Sequence, residues 1–251
     1  ESLKPNYKYS YTKEQIKKIN KSKNFRLIGM GGSTLGVEAI YQFLKHKIKK
    51  NFTFINNLNS KLKNSEKKIK ATNIIISKSG NTLETIVNSN RLINNSKNIF
   101  ITENKKSYLS NLANELKAEI VEHKNYIGGR YSVLSEVGML PAEIMGLNEK
   151  KFKRLNYLIN NKIFLNALIK NVSSILKLVK EKKFNSIILN YDNKSENLLK
   201  WYQQLVAESL GKKSKGILPV ISTMPKDNHS LLQLYLDGTK NNFFTFFSVV
   251  D

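Results

Sequence analysis

Cysteine is absent from these 251 residues, so neither a disulfide framework nor a thiolate zinc site is available, which fits a reducing cytoplasm. Long apolar runs are missing as well. None approaches the ~20 residues that span a bilayer, and no secretory pattern of basic, apolar and small residues opens the chain. A soluble cytoplasmic protein with no membrane partner is the expectation. Arginine is scarce, present only as Arg26, Arg91, Arg130 and Arg154, although the formal net charge is +23. Lysine supplies the remainder, in segments such as Lys45 to Lys50, Lys61 to Lys70 and Lys180 to Lys183. Charge spread over many helices reads as solvated faces, not as the clustered footprint of a nucleic-acid binder. No repeat, low-complexity linker or Pro/Gly-rich hinge divides the chain, whose length allows one or two closely packed domains. It opens at Glu1 without Met and stops at Asp251 just after the strand-like Phe243 to Phe247, so both ends read as cut.

What is present is a regular alternation. Short apolar runs at 25–29, 52–55, 73–76, 98–102 and 119–122 read as strands, and the stretches at 36–47, 59–70, 83–95 and 107–117 have helical spacing. Strands separated by helices imply an α/β fold with a parallel sheet, whose ligands sit beyond the carboxyl ends of the strands. After residue 130 the spacing predicts helices at 136–146, 149–159 and 163–182. Alternation then resumes with strands at 186–190, 217–221 and 243–247 and helices at 195–210 and 229–237. The expectation is two domains, 1–145 and 146–251, the second interrupted before its sheet is complete.

Two strand-to-helix junctions stand out. Ser77-Lys-Ser-Gly-Asn-Thr-Leu-Glu-Thr85 gathers four hydroxyls, Ser77, Ser79, Thr82 and Thr85, with Lys78 and Gly80. Free N–H groups and the positive end of the helix dipole make such a junction an anion site, and hydroxyls suit a phosphate monoester. Ordinary capping by Asn81 or Thr82, with Glu84 in the first turn, accounts for one or two of these side chains. It does not call for four. Gly29-Met-Gly-Gly-Ser-Thr-Leu-Gly36 is a second glycine-rich turn. It is neither a P-loop nor a dinucleotide fingerprint, since no Gly-Lys-Ser/Thr follows and Thr34 takes the third glycine position. Either its glycines only permit tight packing, or Gly32 and Ser33 approach a polar ligand.

Further along, Gly128-Gly-Arg-Tyr-Ser132 sets an Arg after two glycines in a chain that otherwise prefers Lys. A planar guanidinium there suits a developing oxyanion; a turn with a surface Arg is the plain alternative. In the helix at 195–210, Gln204 and Glu208 lie one turn apart. Leu205, Val206, Ala207 and Leu210 around Glu208 suggest partial desolvation and a general base, whereas a surface Glu is the plainer reading of that helix alone. His229 opens the last predicted helix, where a polar capping neighbour is commoner than a catalyst. His46 and His123 receive no role.

Taken in order, Gly31-Gly-Ser-Thr-Leu-Gly36, Ser77 to Thr85, Gly128-Gly-Arg-Tyr-Ser132, Gln204-Leu-Val-Ala-Glu-Ser-Leu-Gly-Lys212 and His229-Ser-Leu-Leu-Gln233 resemble the glucose-6-phosphate isomerase family over about residues 25–238. The resemblance implies two sugar-isomerase (SIS) domains, each a parallel sheet flanked by helices, with an active site between them. It implies that glucose 6-phosphate and fructose 6-phosphate interconvert through a cis-enediol, a step of glycolysis and gluconeogenesis. By the same resemblance Ser77, Ser79 and Thr82 hold the sugar phosphate, Lys78 contributes backbone, Thr85 closes the loop, and Gly32 and Ser33 line the sugar. Glu208 is the base between carbons 2 and 1, Arg130 steadies the enediolate, and Gln204 helps hold substrate. His229 assists ring opening from a neighbouring subunit, which implies a homodimer. No metal or organic cofactor is implied. Two departures accompany this pattern. Thr34 stands where many members have Asp, and the family's C-terminal catalytic Lys has no equivalent before Asp251, so these residues alone are expected to be poorly active.

Competing expectations are another SIS isomerase acting on an amino-sugar or mannose phosphate, and a sugar-phosphate-binding module without turnover. The first gives no reason for Arg130 together with Gln204 and Glu208. The second predicts binding with no kinetic role for Glu208.

Overall fold

The structure, a computed structural model, describes residues 1–58, 70–93 and 96–250. Contacts divide the chain into two units, Glu1–Lys153 and Arg154–Asp251. This division falls one short helix later than the expected boundary, because that helix is tied to the N-terminal segment: Lys13 Nζ bonds Glu149 at 3.1 Å and Lys153 Nζ bonds the Tyr7 carbonyl at 3.1 Å.

In the first unit five strands form one parallel sheet: β1 (Asn24–Ile28), β2 (Asn51–Ile55), β3 (Thr72–Ile76), β4 (Lys97–Thr102) and β5 (Glu119–Glu122). Their order is β2-β1-β3-β4-β5, with Phe25 paired to Phe52 on one side and to Thr72 on the other. β3 is buried at every position, as a central parallel strand covered on both faces must be. The runs of Ile and Phe that signalled strands supply this core, with Ile28, Ile75, Phe100 and Leu109 packed in one cluster. The helices are α1 (Lys13–Ile19), α2 (Leu35–Phe43), α3 (Leu83–Leu92), α4 (Tyr108–Glu115), α5 (Glu136–Ile144) and α6 (Glu149–Lys153). α1 was not expected; Thr12 and Gln15 start it with a reciprocal capping box. The helix expected at 59–70 lies almost wholly outside the described residues.

The second unit has α7 (Lys162–Lys180), β6 (Asn185–Asn190), α8 (Glu196–Leu210), β7 (Leu218–Thr223), α9 (Leu232–Asp237) and β8 (Asn242–Phe247). Its three strands are parallel in the order β7-β6-β8. The expected helix at 149–159 is instead α6 followed by a 3-10 stretch at Arg154–Asn160. The last helix starts at Leu232, so His229 ends a 3-10 turn at Lys226–Asn228 and does not open a helix. Asp227 explains the shift. Its carboxylate accepts the Thr223 N–H at 2.7 Å and the Ser222 and Ser230 hydroxyls at 3.0 and 3.2 Å, which builds a turn before the helix can begin.

Candidate active site

Because β1 and β3 are parallel neighbours, the loops that leave their carboxyl ends emerge side by side. The loop after β3 is organised by its own hydroxyls. Ser77, buried, shares a hydrogen with Thr82 at 2.9 Å and accepts the Gly80 N–H at 3.2 Å, while exposed Ser79 accepts the Asn81 N–H at 3.2 Å. Gly80 has a φ of +68°, and a Cβ there would lie 2.1 Å from Ser107 Oγ, so no other residue fits this turn. Thr82 precedes α3 but makes no side-chain cap bond. Capping by Thr82 therefore does not account for the loop. Thr85 is 1% exposed and its hydroxyl has no hydrogen-bond partner among the described residues. Lys78 does not point freely into solvent; its ammonium bonds the Asn125 carbonyl at 2.8 Å and lies 3.5 Å from Glu103. That leaves its backbone, not its charge, for the loop.

The loop after β1 turns through a 3-10 segment, Gly31–Ser33. A Cβ on Gly32 would meet the Gly129 carbonyl oxygen at 2.4 Å and the Arg130 nitrogen at 2.7 Å. Backbone thus lies directly on the Gly129–Arg130 peptide, and only glycine allows it. Gly129 itself has nothing within 4 Å of its Cβ position. The turn that carries Arg130 is closed by Ser132, whose hydroxyl donates to the Gly129 carbonyl at 2.7 Å, and by Ser135, which donates to the Ser132 carbonyl at 2.7 Å. Arg130 is half-buried, with its guanidinium carbon 4.6 Å from the Tyr131 ring centroid. Thr34, the departure from the resemblance, is fully buried and its hydroxyl donates to the Gly31 carbonyl at 3.4 Å, which supports the loop from within.

Six of the predicted phosphate and sugar residues and their loops, Gly32, Ser33, Ser77, Ser79, Thr82 and Thr85, together with Lys78 and Arg130, belong to the first unit. Gln204, Glu208 and His229 belong to the second. There, Gln204 Nε2 donates to Glu208 Oε1 at 2.7 Å on α8, as the one-turn spacing predicts, and Gln204 Oε1 is buried without a partner among the described residues. The expected desolvation of Glu208 is not observed: the residue is exposed. Leu205, Val206 and Ala207 are its neighbours along the chain, but residues one to three positions back do not all share its face. His229 is exposed.

Sequence reasoning missed His123 and Glu136. His123 is 2% exposed, follows β5, and its Nδ1 lies 3.1 Å from the Lys124 carbonyl. Burial pushes its pKa below the ordinary imidazole value; the Lys78 charge adds to this, and the Lys124 carbonyl, Glu136 and Glu103 oppose it. A lone His after a strand gave no signal of that burial. Among the described residues no group of three or more His, Cys, Asp or Glu side chains is placed to hold a metal ion, and no helix is long and apolar enough to cross a membrane.

The phosphoglucose isomerase family profile matches residues 10–223. This chain belongs to that family. The glucose-6-phosphate isomerase of Methanocaldococcus jannaschii is 35% identical over 95% of this chain, and that of Campylobacter jejuni is 31% identical over 91%. The chain spans 63% and 61% of those two relatives' lengths. Among solved structures, a glucose-6-phosphate isomerase from Chlamydia trachomatis aligns over 93% of this chain and 51% of its own, with a TM-score of 0.73 and 20% identity. A hypothetical protein from Thermus thermophilus aligns over 93% and 63%, with a TM-score of 0.76 and 23% identity. At these identities the structures establish a shared fold, and the family rests on the sequence matches.

Proposed function

We propose that this chain carries the sugar-phosphate and proton-transfer machinery of an aldose–ketose isomerase that interconverts glucose 6-phosphate and fructose 6-phosphate. The observation that supports this most is the first unit's paired loops. An uncapped helix start ringed by Ser77, Ser79, Thr82 and the partnerless Thr85 hydroxyl lies beside a glycine loop packed on the Arg130 turn. Moving a proton between two carbons beside a carbonyl requires a carboxylate base, a cation for the enediolate and an anchor that fixes geometry through remote binding energy.

In this reading the anchor is the phosphate, held by Ser77, Ser79, Thr82 and Thr85 with the Lys78 backbone, and Gly32 and Ser33 line the sugar. Glu208 shuttles the proton between carbons 2 and 1, and Gln204 orients both the base and the substrate. Arg130 stabilises the enediolate, a fixed charge being most useful where charge develops. His229 assists ring opening from a neighbouring copy, so the working form is a homodimer. The two halves, 1–145 and 146–251, act as two SIS-type domains in the cytoplasm. The chemistry calls on no metal or organic cofactor.

The test is to incubate the purified chain with fructose 6-phosphate in deuterated water and follow glucose 6-phosphate and its carbon 2 deuterium by NMR. Glu208→Gln is expected to reduce solvent incorporation by about 10²–10⁴-fold, the usual contribution of a general base. Turnover indifferent to that substitution, or no affinity for either sugar phosphate, would sink the reading.

A further inference from the structure

Residues 7 to 11 run Tyr-Lys-Tyr-Ser-Tyr, and their alternate side chains fasten onto α5, a helix buried at every position from Glu136 to Ile144. A buried carboxylate is costly unless its oxygens are hydrogen-bonded, and this helix holds two. At its first residue, Glu136, fully buried, accepts the Tyr7 hydroxyl at 3.1 and 2.9 Å and the Ser10 N–H at 3.0 Å. In its last turn, Glu143 accepts the Tyr11 hydroxyl at 2.7 Å and pairs with Lys13 at 2.5 Å. Tyr9 joins the two contacts, stacked on Tyr11 with centroids 5.1 Å apart and edge-on to Tyr7 at 5.2 Å. Burial, with the neighbouring glutamates, pushes the Tyr7 and Tyr11 hydroxyls far above their ordinary pKa, so both remain donors.

The two ends of this strap differ in what they touch next. Glu143 leads toward α6, whereas Glu136 directly follows the turn that presents Arg130. From that turn a short series of bonds runs to it: Ser132 Oγ to the Gly129 carbonyl, then Ser135 N–H at 2.9 Å and Oγ at 2.7 Å to the Ser132 carbonyl, with Ser135 adjoining Glu136. Gly32 packs on the same turn at the Gly129–Arg130 peptide. The turn therefore touches both the glycine loop and a helix start that residues far earlier in the chain hold by hydrogen bonds. Tyr7 lies outside the residues matched by the family profile, 10–223, and Ser10 and Glu136 lie within them.

We propose that Glu136 is a positioning residue for Arg130, acting through the Tyr7 and Ser10 bonds of the N-terminal strap. The catalytic consequence rests on the reading of Arg130 as the enediolate's cation. Tyr7→Phe and Tyr11→Phe make a matched pair, since each deletes one hydroxyl donated to one carboxylate of the same helix. Tyr7→Phe is expected to speed amide hydrogen exchange at Arg130 to Ser132 by about fivefold, the scale of one lost hydrogen bond, and Tyr11→Phe by less than about twofold. Tyr7→Phe is also expected to weaken binding of a five-carbon sugar-acid 5-phosphate, whose carboxylate imitates the enediolate, by about fivefold, while leaving inorganic phosphate within about twofold. Glu136→Gln, which keeps the shape and loses the charge, repeats the comparison if Tyr7→Phe fails to fold. Equal exchange in the two tyrosine variants, or exchange raised evenly throughout the first unit, would overturn the proposal. If the unsubstituted chain does not bind the sugar acid at all, the isomerase reading fails, and the exchange comparison still decides the brace.

Discussion

The two units use similar apolar sequence in opposite ways. In the first, α5 is buried along its whole length and β3 at every residue; in the second, α7 runs nineteen residues with none buried, and α8 buries only Leu199. β8 hides Phe243 but leaves Phe246 at 73% exposure. α7 has the spacing of an amphipathic helix no less than α2 does, so pattern alone does not separate them. Layers do. A five-stranded sheet with helices on both sides removes the side chains of its central strand β3 from water, at about 1.5–3 kcal/mol for a fully buried aliphatic or aromatic residue. The second unit's three strands leave Ile163, Ile169 and Leu236 open to solvent. Apolar surface of that extent is the kind that other protein surfaces cover. The loops proposed to hold phosphate, and Arg130, are thus mounted on the heavily packed unit, whereas Glu208 and His229 ride on the lightly packed one.

This contrast can be broken by experiment. The largest expected effect is from Phe100→Ala, which empties a fully buried position of the five-stranded sheet and should cost about 3–5 kcal/mol. Trp201, the only tryptophan, lies in the second unit. Its fluorescence should keep its denaturation midpoint while the circular dichroism transition of the first unit moves to lower denaturant. If both shift together, the units unfold as one and the contrast is only one of burial. A smaller effect is expected from pH. His123 binds a proton less readily when folded, so its contribution is complete above about pH 6.5, the ordinary imidazole value, and is lost as pH falls through and below it. The first unit should lose stability on mild acidification, and His123→Gln should flatten that slope. An unchanged slope would show that its burial does not govern acid stability. The smallest effect belongs to Ile169→Ser on α7, 62% exposed, which should change stability by no more than about 0.5 kcal/mol. A loss of several times that would reveal a covering that α7 acquires in solution.

Strand positions were legible because runs such as Asn73 to Ile76 and Ser186 to Asn190 combine β-branched residues with flanking polar turns, and every expected strand appears within a residue or two at either end. Motif positions at the carboxyl ends followed from the parallel sheet. What escaped was set by contacts that apolar spacing does not encode. α1 buries only Ile16 and Ile19 among lysines, so its periodicity was faint. The exposure of Glu208 depended on which α8 face meets the sheet, and nothing in its neighbours specifies that. His229 was displaced by the bonds Asp227 makes back to Thr223 and Ser222, a turn invisible until the end of β7 is in place. Glu136 did leave a trace: an acid amid Val-Gly-Met-Leu-Pro-Ala with three tyrosines at alternate positions elsewhere. Two such groups, each out of character for its surroundings, are candidates to answer one another.

The strap also bears on the order in which the molecule can be assembled. Tyr7 and Glu136 stand 129 residues apart, Tyr11 and Glu143 132. As the chain leaves the ribosome, the tyrosines are synthesised long before either glutamate exists, and they close these long loops only once β1 to β5 have emerged. Contacts of such separation form slowly and are rewarded late. The proposed brace of the Arg130 turn is therefore made before the strands of its unit and closes only after them, so the turn becomes rigid only when the first unit is complete.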